Sequence, residues 1–307
     1  MPRLLVGTVD GIAVFDLSGP PPGQDQHEGR KVTALARTGT HYWAVLDGRE
    51  IWRTTDEGWS HMATVDRYRA NCLADTDIAG VLVGTSEAHL YRVEKDAAEP
   101  VTAFDQVQGR SEWYTPWGGP PDSRSISEDD DAVFVNVHVG GIVRSRDGGA
   151  TWEPTIDIDS DVHKVWAGWN RVFAACAWGL ATSTDAGETW TMRADGLHAS
   201  YCRGVAVVGD TVLVSASNGP RGGQAAVYRG SVDGGPLERC RNGLPEWFDG
   251  NIDSYGLDAA PDLGVAVFGT EDGQVFASTD EGASWVGIAD GLAPIRCVLV
   301  MPDGNSP

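Results

Sequence analysis

The chain has 307 residues, 41% of them hydrophobic, with 44 acidic against 23 basic side chains and a formal net charge of −21. That apolar content suffices for one large domain, and such acidity speaks against nucleic-acid binding. The start, MPRLLVGTVDG, lacks the apolar stretch of a signal peptide, and no run reaches membrane-spanning length; the expected place is the cytoplasm, with the five cysteines reduced.

Taken in chain order, a short apolar strand, a turn and a second strand recur seven times. The copies are LLVGTVDGIAVFDL, YWAVLDGREIWRTTD, VLVGTSEAHLYRVEK, VFVNVHVGGIVRSRD, VFAACAWGLATSTD, VLVSASNGPRGGQAAVYRGSVD and VAVFGTEDGQVFASTD. Each follows another apolar stretch, such as KVTALA or DVHKVWA, and most precede one, such as ATWEPTI or ETWTMRA. Four strands per unit and seven units, about 44 residues each, read as radially repeated antiparallel sheets. The chain begins on the second strand of a unit and ends with PIRCVLVMP, a first strand without its hairpin. The expected fold is therefore a single all-β domain over residues 1–307. It is a seven-bladed β-propeller of four-stranded blades, closed by pairing residues 295–301 with residues 3–8, with residues 302–307 as a tail.

A second repeat marks the turns. SRDGGATW (145–152), STDAGETW (183–190) and STDEGASW (278–285) share one phrase, and TTDEGWSH (54–61) and SVDGGPLE (231–238) are weaker copies. The aspartate accepts hydrogen bonds from its own turn, the glycine takes the left-handed conformation, and the tryptophan packs on the hairpin. The phrase resembles the Asp box, or BNR repeat. That repeat is shared by sialidases, xyloglucanase-like glycosidases, sortilin-type receptors and photosystem II assembly factors of the Ycf48 type. The resemblance spans essentially the whole chain and implies the propeller fold, with Asp147, Asp185 and Asp280 structural. It implies less about function. No Arg-Ile-Pro motif stands near the start as in sialidases, and the count of seven blades departs from their six. The xyloglucanase-like enzymes use a cleft between two propellers, and this chain has one.

In propellers of this kind the first strand of each blade lines the central channel. Aligned on their apolar residues Leu35, Leu73, Ile126, Val165, Val205, Leu257 and Val298, these strands place a polar row two residues earlier, on the same side. That row is Thr33, Asn71, Arg124, His163, Arg203, Tyr255 and Arg296; the row before it includes Asp122, Asp161 and Asp253. Arg124, Arg203 and Arg296 with Asn71 suit an anion clamp, since guanidinium groups hold carboxylates or phosphates by two bonds. The competing reading is that the aspartates neutralise them.

Three insertions carry aromatic or basic residues suited to stacking on a sugar or ring. Residues 105–123 hold Trp113, Tyr114 and Trp117, residues 218–224 hold Arg221, and residues 243–253 hold Trp247 and Phe248. Trp178, in the turn of the fifth hairpin, joins the ligand-binding set. His138, His163 and His198 fall on successive blades and, with Asp161, suit a divalent metal or acid–base chemistry.

Two functions fit. One is a glycosidase-like or sialidase-like hydrolase, or a lyase, acting on a small anionic or sugar-like ligand at the channel mouth. His163, Tyr255, Asp161 and Asp253 would then be catalytic, and no cofactor is required, the divalent metal being optional. The other is a non-catalytic binding or assembly scaffold similar to the photosystem II factors. Either would be a monomer.

Overall fold

The computed structural model describes residues 2–17 and 26–302. Among them there is no α-helix, and the strands assemble into seven antiparallel sheets, an all-β, seven-bladed propeller. The first blade in chain order is Val32–Thr38, His41–Leu46, Glu50–Thr55 and Gly58–Thr64. The second is Ala70–Thr76, Gly80–Thr85, Leu90–Glu94 and Ala97–Pro100. The third is Ser123–Asp129, Ala132–Val137, Gly141–Ser145 and Glu153–Pro154, and the fourth Val162–Gly168, Arg171–Cys176, Gly179–Ser183 and Thr191–Arg193. The fifth is Tyr201–Val208, Thr211–Ser217, Ala226–Ser231 and Gly234–Arg239; the sixth is Leu257–Ala260, Val265–Gly269, Val275–Ser278 and Val286–Ala289.

The seventh blade joins the two ends of the chain. Ile295–Met301 pairs with Arg3–Thr8, from Arg3 opposite Met301 to Val6 opposite Val298, and Arg3–Thr8 pairs in turn with Gly11–Asp16. This is the expected closure. The register shifts at Gly7. A Cβ there would lie 2.5 Å from Cys297 Sγ and 2.6 Å from Val32 Cγ1, so the strand's close approach requires glycine. This sheet has three strands among the described residues, plus a bridge from Ile12 to Gln26; most of the expected fourth strand and the tail from residue 303 fall outside them.

The chain divides into two compact units. One gathers the described residues of Met1–Val32, Ala177–Leu180 and Arg193–Ser306; the other holds Thr33–Cys176 and Ala181–Met192. Each has its own apolar core. In the first, Val208, Leu213, Val227, Phe248, Phe268 and Trp285 pack together; in the second, Phe134, Ile142, Val165, Val172 and Ala181 do. The second strands are β-branched and aromatic, and AVFVNV at Ala132–Val137 is buried at every position, as a strand covered on both faces requires. The apolar row used to align the first strands is buried throughout.

The three strong turn phrases share one hydrogen-bond pattern. Asp147 Oδ1 accepts from the Ser145 hydroxyl at 2.9 Å and from the Thr151 N–H at 2.8 Å, while its Oδ2 accepts from the Thr151 hydroxyl at 2.6 Å. Asp185 and Asp280 repeat these bonds with Ser183 and Thr189, and with Ser278 and Ser284. The serine in turn accepts from the glycine N–H, as Gly149 donates to Ser145 at 2.9 Å. The aspartate thus reaches four residues forward, further than the two expected of a simple Asx turn. Trp152 and Trp285 donate their indole N–H to their own turns, at Gly149 O and Gly282 O. In the weak copies the turn collapses to a two-residue hairpin: Thr55 pairs with Gly58 and Ser231 with Gly234.

All five cysteines are buried and outside any disulfide, and burial pushes the Cys176 thiol up to about 12 and the Cys240 thiol up to about 11. No described helix is long and apolar enough to cross a membrane.

Candidate functional site

The unit of residues 33–176 brings His138, Asp161 and His163 together. His138 directly follows the strand Ala132–Val137, and its backbone N–H is held by Asp122 O at 2.9 Å. His163 lies in Val162–Gly168, the first strand of the next blade. Asp161 caps the short turn Ile158–Ser160 in a left-handed conformation, φ 47° and ψ 68°, a backbone geometry that costs an aspartate free energy and turns its side chain back toward both imidazoles. His138 Nε2 lies 2.9 Å from Asp161 Oδ1 and His163 Nε2 lies 3.7 Å from the same oxygen. The two rings sit 5.7 Å apart. Both histidines are buried, at 3% and 0% exposure, and Asp161 is the member that reaches solvent.

Burial pushes the Asp161 carboxyl up, but the hydrogen bond from His138 and the charges of His163, His138 and Arg124 outweigh it and hold the group below the usual carboxylate range. Asp161 is therefore an anion at neutral pH, and Arg124 is its nearby cation.

The insertion between the second and third blades folds over this group. Its foot is fixed by His89 Nδ1 on Asp105 at 2.7 Å and by Arg110 donating to Ala88 O at 2.7 Å. Trp113 packs inward, against Phe104 and beneath the Arg110 guanidinium. A Cβ at Gly140 would meet the Trp113 ring at 3.1 Å, so glycine there admits the indole. Tyr114 donates its hydroxyl to Asp159 at 3.1 Å. Trp117 stacks on His138 with centroids 5.1 Å apart and 28° between planes, yet remains 69% exposed. Asn71, expected to bind ligand, accepts from Arg69 at 2.9 Å and donates to Ser123 O at the blade edge.

The other unit contains Arg203, Tyr255, Arg296, Asp253, His198, Trp178 and Trp247. Arg203 Nε donates to Asp253 Oδ1 at 2.8 Å, its Nη2 contacts the same carboxylate, and Nη1 reaches the Tyr201 hydroxyl. Burial lowers its pKa, but the Asp253 charge outweighs that and leaves it raised. Arg296 lies 3.4 Å from Glu271. Tyr255 sits in the short turn Ser254–Gly256 that leads into the sixth blade. Trp178 is 63% exposed.

His198 was expected to join the other two histidines. It is committed elsewhere: its Nδ1 lies 2.6 Å from the Tyr228 hydroxyl and its ring lies 4.6 Å from that of Trp247. Asp161 is the third member of the group that forms. Asn136 was missed. It stands in that strand, two residues before His138, and the VNVH alternation was the available signal. Its Nδ2 donates to Val162 O at 2.8 Å, between Asp161 and His163 in sequence.

No family model matches the chain, and no curated protein matches it in sequence. Solved structures do. A structure described as Ycf48 bound to D1 peptide is 13% identical, with a TM-score of 0.60 over 98% of this chain and 89% of that one. An ancestral GH74 enzyme is 15% identical, with a TM-score of 0.62 over 84% of this chain and 38% of that one. The WD40 propeller domain of Doa1 is 16% identical, with a TM-score of 0.60 over 94% of this chain and 88% of that one. One neighbour is an enzyme, another is described with a bound peptide, and the third is a WD40 domain, so at these identities they establish the propeller fold alone.

Proposed function

We propose that the protein binds a small polar ligand of the sugar or sugar-acid kind above the His138–Asp161–His163 group. The exposed face of Trp117 is the platform and Arg124 the partner of the ligand's acid group. The observation that carries this reading is Trp117 itself: 69% exposed, yet stacked on a histidine that is 3% exposed. A large ring held at the surface over buried polar groups suits stacking on a flat sugar face, with hydrogen-bonding groups beneath to set orientation. If the bound ligand reacts, His163 and Asp161 are the groups of this unit able to move a proton. The shared hydrogen-bond pattern of the turns at Asp147, Asp185 and Asp280 supports reading them as Asp boxes of a sialidase-like chain.

An assembly role, the second reading, is favoured by the other unit. Arg203 and Arg296 already face carboxylates of this chain, at Asp253 and Glu271. Such arginines can exchange an internal carboxylate for one from a partner's acidic segment.

Calorimetry of the full chain against sugar acids and the matching neutral sugars tests the first reading. Trp117→Ala should weaken binding of both by about tenfold, and Arg124→Lys should weaken only the acids. Heat from none of these compounds, or unchanged binding by Trp117→Ala, would reject it.

A further inference from the structure

We infer that His138, Asp161 and His163 form a binding site for a divalent first-row transition metal, zinc foremost. This goes beyond the sugar reading and does not depend on it. Two imidazole nitrogens and one carboxylate are the donors that zinc, cobalt and manganese ions take, whereas magnesium and calcium prefer oxygen throughout. The spacing also fits. Metal–donor bonds of about 2.0–2.1 Å place neighbouring donors about 2.8–3.4 Å apart in tetrahedral or octahedral sites. Here the two histidine nitrogens lie 2.9 and 3.7 Å from Asp161 Oδ1, and one donor atom from each residue lies within 4.8 Å of the others. Small rotations about the side-chain bonds close that set around one ion.

The donors are held in place before any ion arrives. The His138 N–H is bonded to Asp122 O, the Asp161 N–H to Ile158 O, and His163 sits within a paired strand whose neighbours Val162 and Lys164 oppose Cys176 and Ala175. Burial of both rings removes competing water, and little ordering entropy remains to be lost on binding.

A second observation points to a ligand at this place. Asn136 is fully buried, its amide nitrogen is tied to Val162 O, and its Oδ1 accepts no hydrogen bond from any described residue. Leaving a buried carbonyl oxygen unmade is costly, and such oxygens are satisfied in folded proteins. Asn136 stands two residues before His138 and is tied to Val162, between Asp161 and His163 in the chain, so this oxygen can serve as a fourth donor or accept from a metal-bound water. Three protein donors would leave positions open for water or an oxygen-donor ligand.

The test uses the full chain, stripped with a chelator and titrated with zinc and with cobalt(II) by equilibrium dialysis and visible absorption. One equivalent per chain should bind, and cobalt should develop the visible bands of a nitrogen-ligated site. His138→Ala and His163→Ala should each weaken binding by at least about 100-fold. His198→Ala, outside the group, should retain it. No bound equivalent in the wild type, or an equivalent unaltered in a folded His138→Ala/His163→Ala protein, would overturn the proposal. Because His163 is fully buried, its variant can fail to fold, so the wild type supplies a second readout. A crystal soaked in zinc should show an anomalous peak between the three side chains. Occupied surface sites with no peak there would equally overturn it.

Discussion

Two aromatic-bearing insertions meet opposite fates. Residues 243–253 carry Trp247 and Phe248, and residues 105–123 carry Trp113, Tyr114 and Trp117; both are rich in glycine, proline and acids. The first is absorbed into its unit. Phe248 exchanges two backbone hydrogen bonds with Ala225 at 2.8 and 2.9 Å and packs edge-on against Phe268 and Phe276. Asn251 ties the same loop to Gly219 and Pro220, and Arg239 lies 4.0 Å above the Trp247 ring. The second insertion anchors its beginning through buried Val107 and the Arg110–Ala88 bond and leaves its tip in water. The Thr115 hydroxyl closes the tip on Gly119 O at 3.0 Å, and Gly118 and Gly119 take φ of 80° and 96°. The difference is one of available edges. Phe248 finds an open strand end at Ala225, whereas the 115–119 turn closes on itself and leaves Trp117 at the surface, stacked on the His138 ring. Aromatic residues in a loop are thus no measure of a binding surface until the backbone partners of the loop are known.

Truncating the two aromatic residues should separate the loops most sharply. Phe248→Ala removes a ring buried between two others and should cost about 3–5 kcal/mol in chemical denaturation. Trp117→Ala should change stability by no more than about 0.5 kcal/mol. Equal losses would erase the distinction.

A smaller effect is expected from the turn below Phe248. Trp285 belongs to the same core cluster and is set by the turn at Asp280, so Asp280→Ala should cost about 1 kcal/mol in the same assay. The Trp117–His138 contact should survive, and unchanged affinity for any ligand found there would show it; lost affinity in a protein of wild-type stability would contradict a purely structural turn.

Acid should distinguish the loops next. Burial, and then the Arg239 charge, hold the His198 imidazole below its ordinary 6.5. A depressed histidine contributes stability above its unfolded value, and that contribution is lost as pH falls from about 6.5 toward the folded value. The unfolding midpoint should therefore decline over that interval, and His198→Gln should remove part of the decline. An identical pH profile for the variant would show that His198 does not anchor the 243–253 loop.

The smallest effect belongs to the exposed tip. Tyr114→Phe deletes a surface hydrogen bond to Asp159 and should leave the melting temperature unchanged within error. A clear fall would mean that the tip is a structural element after all.

The blades were legible from repetition. Alternating apolar runs and the Asp-x-Gly turns recur at a spacing only a stacked-sheet fold accommodates, and the unpaired strands at residues 3–8 and 295–301 announced their own pairing. The polar row was less legible. Period-two alternation put Asp161 and His163 in adjacent polar rows, but it made no distinction between Arg124, whose charge acts on the half-buried Asp161, and Arg203, tied to Asp253 and Tyr201. Sequence spacing grouped His138, His163 and His198 with Asp161; the folded chain keeps His138, Asp161 and His163 together and sets His198 against Tyr228 instead.

What the sequence determined by itself was local: strand periodicity, turn chemistry and the closing strand pair, all set by contacts between residues near in the chain or by a pattern repeated along it. Tertiary structure alone decided which charges pair, which aromatics stay wet, and that His198 stands with Tyr228 and Trp247 rather than with the two buried histidines. Those outcomes depend on side-chain packing and on which backbone edges remain open, and each is a balance of a few kcal/mol between competing partners that no one-dimensional pattern records.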